Sequence, residues 1–195
     1  HRLAREVRDE WLKVQGRFSD ITVNVAADEQ VELIARAIET TRGLTPDVGQ
    51  ASELVAAIGR ARSDDDVFGE RLAECWPLAP AVACLLGPLS RRRFGQSQRS
   101  IFGFLNSAEP FGFQSFLAET DANSGATYGL PRLWDYLRAN LEPSILASPD
   151  GHRWSLALDA LQRCEARGGD AEHVDALKCV ALIDLFKERS GLSAS

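Results

Sequence analysis

Apolar residues recur at intervals of three and four along nearly the whole chain. Leu3, Val7, Trp11 and Val14 form one stripe. Val31, Ile34, Ala35 and Ile38 form a second, and Leu54, Val55, Ile58 and Ala61 a third. Further along come Leu133, Trp134, Leu137 and Leu141, then Trp154, Ala157, Leu158, Leu161 and Cys164, then Val174, Leu177, Ala181 and Leu185. That period lines one face of an α-helix and does not fit the two-residue alternation of a strand. Only Ile21-Thr22-Val23-Asn24-Val25 alternates with β-branched residues. A single strand needs a sheet to pair with, and the rest of the sequence offers none. The expected fold is mainly α: a multi-helix bundle with one short N-terminal edge strand.

The punctuation agrees with this reading. Asp28 is placed to cap the second stripe, and Gly43 to end it before the turn Leu44-Thr45-Pro46. Ser63-Asp64-Asp65-Asp66 reads as a connection feeding a helix through Leu72 and Cys75. Pro80 suits the first turn of a helix running toward Phe94, with a kink at Pro88. After Gly95, Ser97 can cap a short helix carrying Ile101, Phe102 and Leu105. Phe102, Phe104, Phe111, Phe113 and Phe116 read as packed core rather than as a base-stacking platform. Residues 120–129 are rich in Asp, Asn, Ser, Gly and Thr and read as a loop. Gly168-Gly169 should break the chain before the last stripe, and Gly191 should stop it.

Composition narrows the function classes. The 195 residues are 45% apolar and carry a net charge of −6, which argues against a general nucleic-acid coat but leaves room for a local basic patch. The longest apolar run, 76–89, carries Pro77, Pro80 and Pro88 and falls short of the roughly 18 residues of a membrane span, so no membrane partner is expected. Cys75, Cys84, Cys164 and Cys179 form no CxxC pair, and no histidine stands at zinc spacing beside them. No metal site is expected, and the thiols read as free and buried in a reducing cytoplasm. There is no GxxxxGK[ST] phosphate loop, no GxSxG elbow and no HExxH. No complete active site is therefore expected in this chain. Methionine is absent and His1 leads straight into a helical stripe. Together with the lone strand, this suggests an internal piece of a longer protein.

Two arginine-bearing segments carry the remaining chemistry. In Gln15-Gly16-Arg17-Phe18 a glycine between helix and strand gives a tight turn that could present Arg17 at a surface for phosphate contact. The plainer reading is an exposed turn arginine. The second segment is Arg91-Arg92-Arg93-Phe94-Gly95-Gln96-Ser97-Gln98-Arg99-Ser100. Residues 76–108 hold four arginines and no acidic residue, an asymmetry in an acidic chain. The run falls between the end of one expected helix and the start of another. Arg91, Arg92, Arg93, Gln96, Gln98 and Arg99 are thus candidates for binding an anion: a nucleotide phosphate, a nucleic-acid backbone or an acidic partner. The plainer reading is that Arg91–Arg93 complement a helix C-terminal dipole.

The same segments carry a resemblance. Glu10-Trp11-Leu12-Lys13-Val14-Gln15-Gly16-Arg17-Phe18-Ser19-Asp20-Ile21 resembles a signature of large bacterial P-loop ATP-binding proteins of the AAA+/STAND-like type. Trp76-Pro77-Leu78-Ala79-Pro80, followed by Arg93-Phe94-Gly95-Gln96-Ser97-Gln98-Arg99-Ser100-Ile101-Phe102-Gly103-Phe104-Leu105, resembles the next. Leu130-Pro131-Arg132-Leu133-Trp134-Asp135-Tyr136-Leu137 and Leu177-Lys178-Cys179-Val180-Ala181-Leu182-Ile183-Asp184-Leu185 are similar to later segments. Three positions depart from the pattern: a histidine is expected at Ala79, an acidic or asparagine-type residue near Ser97-Gln98, and an asparagine at Asp184.

The resemblance implies an organisation and a mechanism. Residues 1–26 would be the tail of the ATPase core, with Ile21–Val25 its edge strand. Residues 27–119 would be a helical lid, and 120–195 a second helical block leading into a winged helix or further helices. Arg17 would act as a catalytic arginine finger on nucleotide held by a neighbouring subunit, and Arg99 would sense phosphate within its own subunit. ATP with Mg²⁺ is implied for the full protein, with none bound by this chain alone. The implied partners are the missing ATPase core in cis and a homo-oligomer or protein partner. Many such ATPases sit in prokaryotic defence or DNA-associated gene clusters, so nucleic acid is a further implied partner. A reading of a different class is a helical interaction or scaffold module, with a basic docking patch and no nucleotide role.

Overall fold

The computed structural model describes residues 27–39, 65–92 and 101–186, with isolated positions at 49, 52 and 53. The expected strand at 21–25, the stripes at 3–14 and 54–61, Gly191, Arg17 and the run 93–100 lie outside the described residues. Among the described residues the chain is mainly α and forms no sheet. In chain order the helices are α1 (Ala27–Ala37), α2 (Asp65–Glu74), α3 (Pro80–Arg91), α4 (Ile101–Leu105), α5 (Phe113–Glu119), α6 (Leu130–Leu146), α7 (Gly151–Ala166) and α8 (Ala171–Phe186). A 3₁₀ turn, Ala122–Ser124, precedes α6.

α1 buries Val31 and Ile34 against α2 and α3, with Ala35 and Ile38 at the margin, as the stripe predicts. Asp28 lies inside the first turn rather than before it, because the helix already begins at Ala27. α2 ends just before Cys75, which is fully buried and donates from Sγ to the carbonyls of Val31 (3.6 Å) and Arg71 (3.4 Å).

The chain then passes a cis Trp76–Pro77 bond and makes one isolated parallel bridge, Leu78 with Tyr128. Tyr128 donates its N–H to Pro77 O (2.7 Å), and Ala79 donates to Tyr128 O (3.1 Å). Both flanks of this bridge run directly into helices with proline in the first turn, α3 at Pro80 and α6 at Pro131. Proline needs no N–H partner there and its φ already fits a helix. One residue pair thereby sets two long helices side by side.

Aromatic rings fill the space behind the bridge. The Phe104 ring lies 5.4 Å from that of Tyr128, 5.2 Å from Tyr136 and 6.2 Å from Phe113, and Phe116 meets Tyr128 at 5.5 Å. Three of these four contacts are edge-to-face, the geometry that ring quadrupoles favour. The Tyr128 hydroxyl donates to Phe111 O (2.7 Å). Phe104, Phe113 and Phe116 therefore belong to the core as expected, whereas Phe102 and Phe111 are exposed.

α6, α7 and α8 pack on one another, and Gly168 at φ +78° makes the expected break between the last two. Trp134 of α6 and Trp154 of α7 are fully buried and stacked at 4.2 Å. Lys178 of α8 donates to Asp135 of α6 at 2.9 Å. α8 also touches α3, and the hydrophobic core is continuous from Val31 to Phe186.

Candidate functional site: the arginine end of α3

α3 ends at Arg91, short of Phe94, because Arg92 adopts an extended conformation. This turns two consecutive arginines in different directions. Arg91 donates from Nη1 to Gln30 Oε1 of α1 at 3.1 Å. Gln30 is buried, and its amide lies over Gly87 so closely that a Cβ there would stand 1.9 Å from Oε1. A side chain at that point of α3 would push the Gln30 amide from its present position.

Arg92 turns the other way. Its Nη1 donates to Asp150 Oδ2 at 2.6 Å, and its Nη2 reaches Leu185 O at 3.4 Å. The Asp150 side chain is 10% exposed and that of Arg92 31%. A carboxylate this buried needs a charged or hydrogen-bonding partner, and Arg92 supplies it from 58 residues away.

Asp150 is the residue that precedes α7, in the position where an aspartate ordinarily accepts from its own helix's free N–H groups. It makes no such bond, and its backbone is helical (φ −85°, ψ −5°) rather than extended. The junction is tight. Ser148 Oγ donates to Ile145 O at 2.6 Å, and a Cβ on Gly151 would stand 2.1 Å from Leu146 O. The close passage of α6 into α7 requires Gly151, and that passage aims Asp150 toward α3.

A second ion pair stands beside the first. Arg153 of α7 donates from Nη2 to Asp184 Oδ2 at 2.6 Å and to Asp184 O at 2.7 Å. Arg92 and Arg153 therefore reach consecutive carbonyls, Leu185 and Asp184, in the last turn of α8. Cations near a helix C-terminus are favourable. Where the resembled family would place asparagine, Asp184 gives Arg153 a charged partner.

Of the sequence candidates, the structure thus places Arg91 against α1 and Arg92 against the α6–α7 junction; they do not converge on one point. Arg17, Arg93, Gln96, Gln98 and Arg99 lie outside the described residues. Gln30, Asp150 and Arg153 were not singled out by sequence reasoning. Nothing in Ser148-Pro149-Asp150-Gly151 signals a partner in α3, 58 residues back. Among the described residues no group of histidine, cysteine or acidic side chains could hold a metal. The chemistry available at this end is oxyanion binding by guanidinium groups. No family model, curated protein or solved structure matches the chain.

Proposed function

We propose that this chain is the helical lid region of a P-loop ATP-binding protein, and that the arginine run following α3 contacts the phosphates of ATP held by another part of that protein. The observation that supports it most directly is Arg92. At the end of a helix in an acid-free stretch, its guanidinium already holds an oxyanion, the Asp150 carboxylate. In this reading Arg17 acts in trans as an arginine finger and Arg99 senses phosphate in cis, with Mg²⁺ accompanying the nucleotide. Arg91 and Arg92 hold the end of α3 to α1 and to the α6–α7 junction, and Arg93, Gln96, Gln98 and Arg99 follow in sequence as the proposed phosphate contacts. The test is ATP turnover by the whole protein carrying Arg17→Ala or Arg99→Ala. Hydrolysis should be lost while the circular dichroism spectrum and melting temperature stay unchanged. Normal turnover in both variants rejects the proposal.

A second reading, a helical interaction module without a nucleotide role, is favoured by α8. Val180 is 64% exposed and Ile183 42%, although Leu182 and Leu185 on the same helix are buried. A helix apolar on more than one side suits a partner surface. Capture of a protein partner that is lost on Val180→Asp, with ATP turnover unaffected, would support this reading over the first.

A further inference from the structure

The charged side chains that α8 carries between Val174 and Phe186 are Asp175, Lys178 and Asp184, and all three are engaged. Lys178 pairs with Asp135 of α6 at 2.9 Å and with Asp175 at 3.4 Å, and Asp184 pairs with Arg153 of α7. The face they leave holds Ala176, Val180 and Ile183, all exposed, with the half-buried Cys179 at its edge. Intervals of four and three place these residues in one stripe, and the stripe carries no charge. A helix face open to water ordinarily carries polar or charged residues, whereas a helix apolar all round is covered all round. The other sides of α8 already meet α3, α6 and α7.

The two ends of the stripe say what covers it. Small Ala176 stands at the N-terminal end and large Ile183 at the C-terminal end. Asp170, an exposed carboxylate that accepts from the His173 backbone N–H at 3.0 Å, flanks the first end. The partly exposed Arg153 guanidinium, bonded to Asp184, flanks the second. Both flanks lie on the α7 side of the stripe. Turned end for end, this surface fits itself: small residue against large, carboxylate against guanidinium, and helix dipoles opposed. A two-fold axis performs that operation. We propose that α8 packs antiparallel against α8 of a second copy of this chain, with the two-fold at the middle of the stripe beside Cys179. Ala176 of each copy then meets Ile183 of the other, Val180 of both fills the centre, and Asp170 of each faces Arg153 of the other. This names the partner in the interaction reading above and rests on that reading. One helix pair buries less than a standard interface, so the dimer is weak, with a Kd on the order of 10 µM.

Sedimentation equilibrium of the full chain from low to high micromolar concentration tests it and should show a monomer–dimer equilibrium. Val180→Asp places an unpaired charge at the centre of the interface but at an exposed site of the monomer, so the circular dichroism spectrum should not change while Kd rises about 30-fold or more. Asp170→Asn keeps a capping residue before α8 and removes the charge facing Arg153, so Kd should rise about threefold. Val67→Asp, at an exposed apolar residue of α2, should leave Kd as it is. Orientation is read by disulfide formation under oxidised glutathione. A mixture of the Ala176→Cys and Ile183→Cys variants should give the mixed dimer, and neither variant alone should cross-link through its new thiol. A chain monomeric at high micromolar concentration, a dimer indifferent to Val180→Asp, or cross-linking of Ala176→Cys to itself overturns the antiparallel dimer. A monomeric chain that still captures a different protein through Val180 removes the dimer and leaves the interaction reading standing. Loss of ATP turnover by the whole protein in Val180→Asp, with the dimer confirmed, keeps the dimer and removes the reading without a nucleotide role.

Discussion

At its start α3 sits on aromatic rings, and at its end, about 18 Å further on, it is held by charges. The first attachment is the Leu78–Tyr128 bridge backed by Phe104, Phe113, Phe116 and Tyr136. The second is Arg92 between Asp150 and Leu185 O, with Arg153–Asp184 alongside. Ring packing depends on shape and removal of water, so it responds little to ions. The charged attachment involves a guanidinium that is 31% exposed, so salt weakens it. One helix is thus fastened at one end by packing that ignores ions and at the other by a pair that responds to them.

The largest test of that contrast is Phe104→Ala. Phe104 is 4% exposed and meets three other rings. Its truncation should cost about 3–5 kcal/mol in urea unfolding, and the loss should be the same in low and high salt. Asp150→Ala is the counterpart at the other end. It should cost about 2 kcal/mol, between the values for exposed and fully buried pairs, and the difference from wild type should shrink as salt rises. A salt-dependent Phe104 effect, or a salt-independent Asp150 effect, would erase the distinction between the two ends.

Much of this architecture was readable in the sequence, and the failures share one cause. The stripe Val31–Ile34–Ile38 found α1, Pro80 found the start of α3, and Gly168 found the break before α8, because each depends on neighbours within one or two turns. Tyr128 sits in a polar loop yet is fully buried, since its bridge partner lies 50 residues back at Leu78. Asp150 drew no expectation from the sequence, and only the packing of α3 reveals its use. α8 shows a limit of the stripe argument. Leu185 is buried and Val174, Leu177 and Ala181 pack against the core as the stripe predicts, yet Leu182 and Phe186, outside the stripe, are fully inside as well. Where apolar residues follow one another, as in 179–183, spacing does not mark the edge of the buried face.

Alkaline pH should probe the packed end through Cys75, which precedes the bridge. Burial pushes its thiol up from 9.0 to about 12, with the nearby Cys84 and Glu74 adding to the rise. The folded chain therefore keeps this proton after the unfolded chain has lost it. The stability that burial of the neutral thiol contributes is whole below pH 9 and declines as pH rises toward 12. The slope approaches about 1.4 kcal/mol per pH unit. Burial raises the Tyr128 hydroxyl as well, so a clean comparison stays below pH 10. Urea unfolding at pH 8 and pH 9.7 should show wild type losing more stability than Cys75→Ala. Equal losses would mean that the thiol is not sequestered.

The smallest effect concerns Phe111, where the aromatic end meets solvent. Its φ is +62°, a region that a side chain disfavours by roughly 1–2 kcal/mol. The Tyr128 hydroxyl holds its carbonyl at 2.7 Å, so the surrounding core fixes the conformation. Phe111→Gly removes the left-handed strain but loosens the unfolded chain by roughly 0.5–1 kcal/mol. Phe111→Ala keeps the strain and removes the same ring. Ring loss is common to both variants, so their difference isolates the backbone. Glycine should be the more stable by about 1 kcal/mol in urea unfolding. If Tyr128→Phe is added, the carbonyl loses its anchor and the loop can leave the left-handed region. The glycine advantage should then fall toward zero. An advantage that persists without the hydroxyl would show that the local chain, and not the aromatic end, sets the conformation of Phe111.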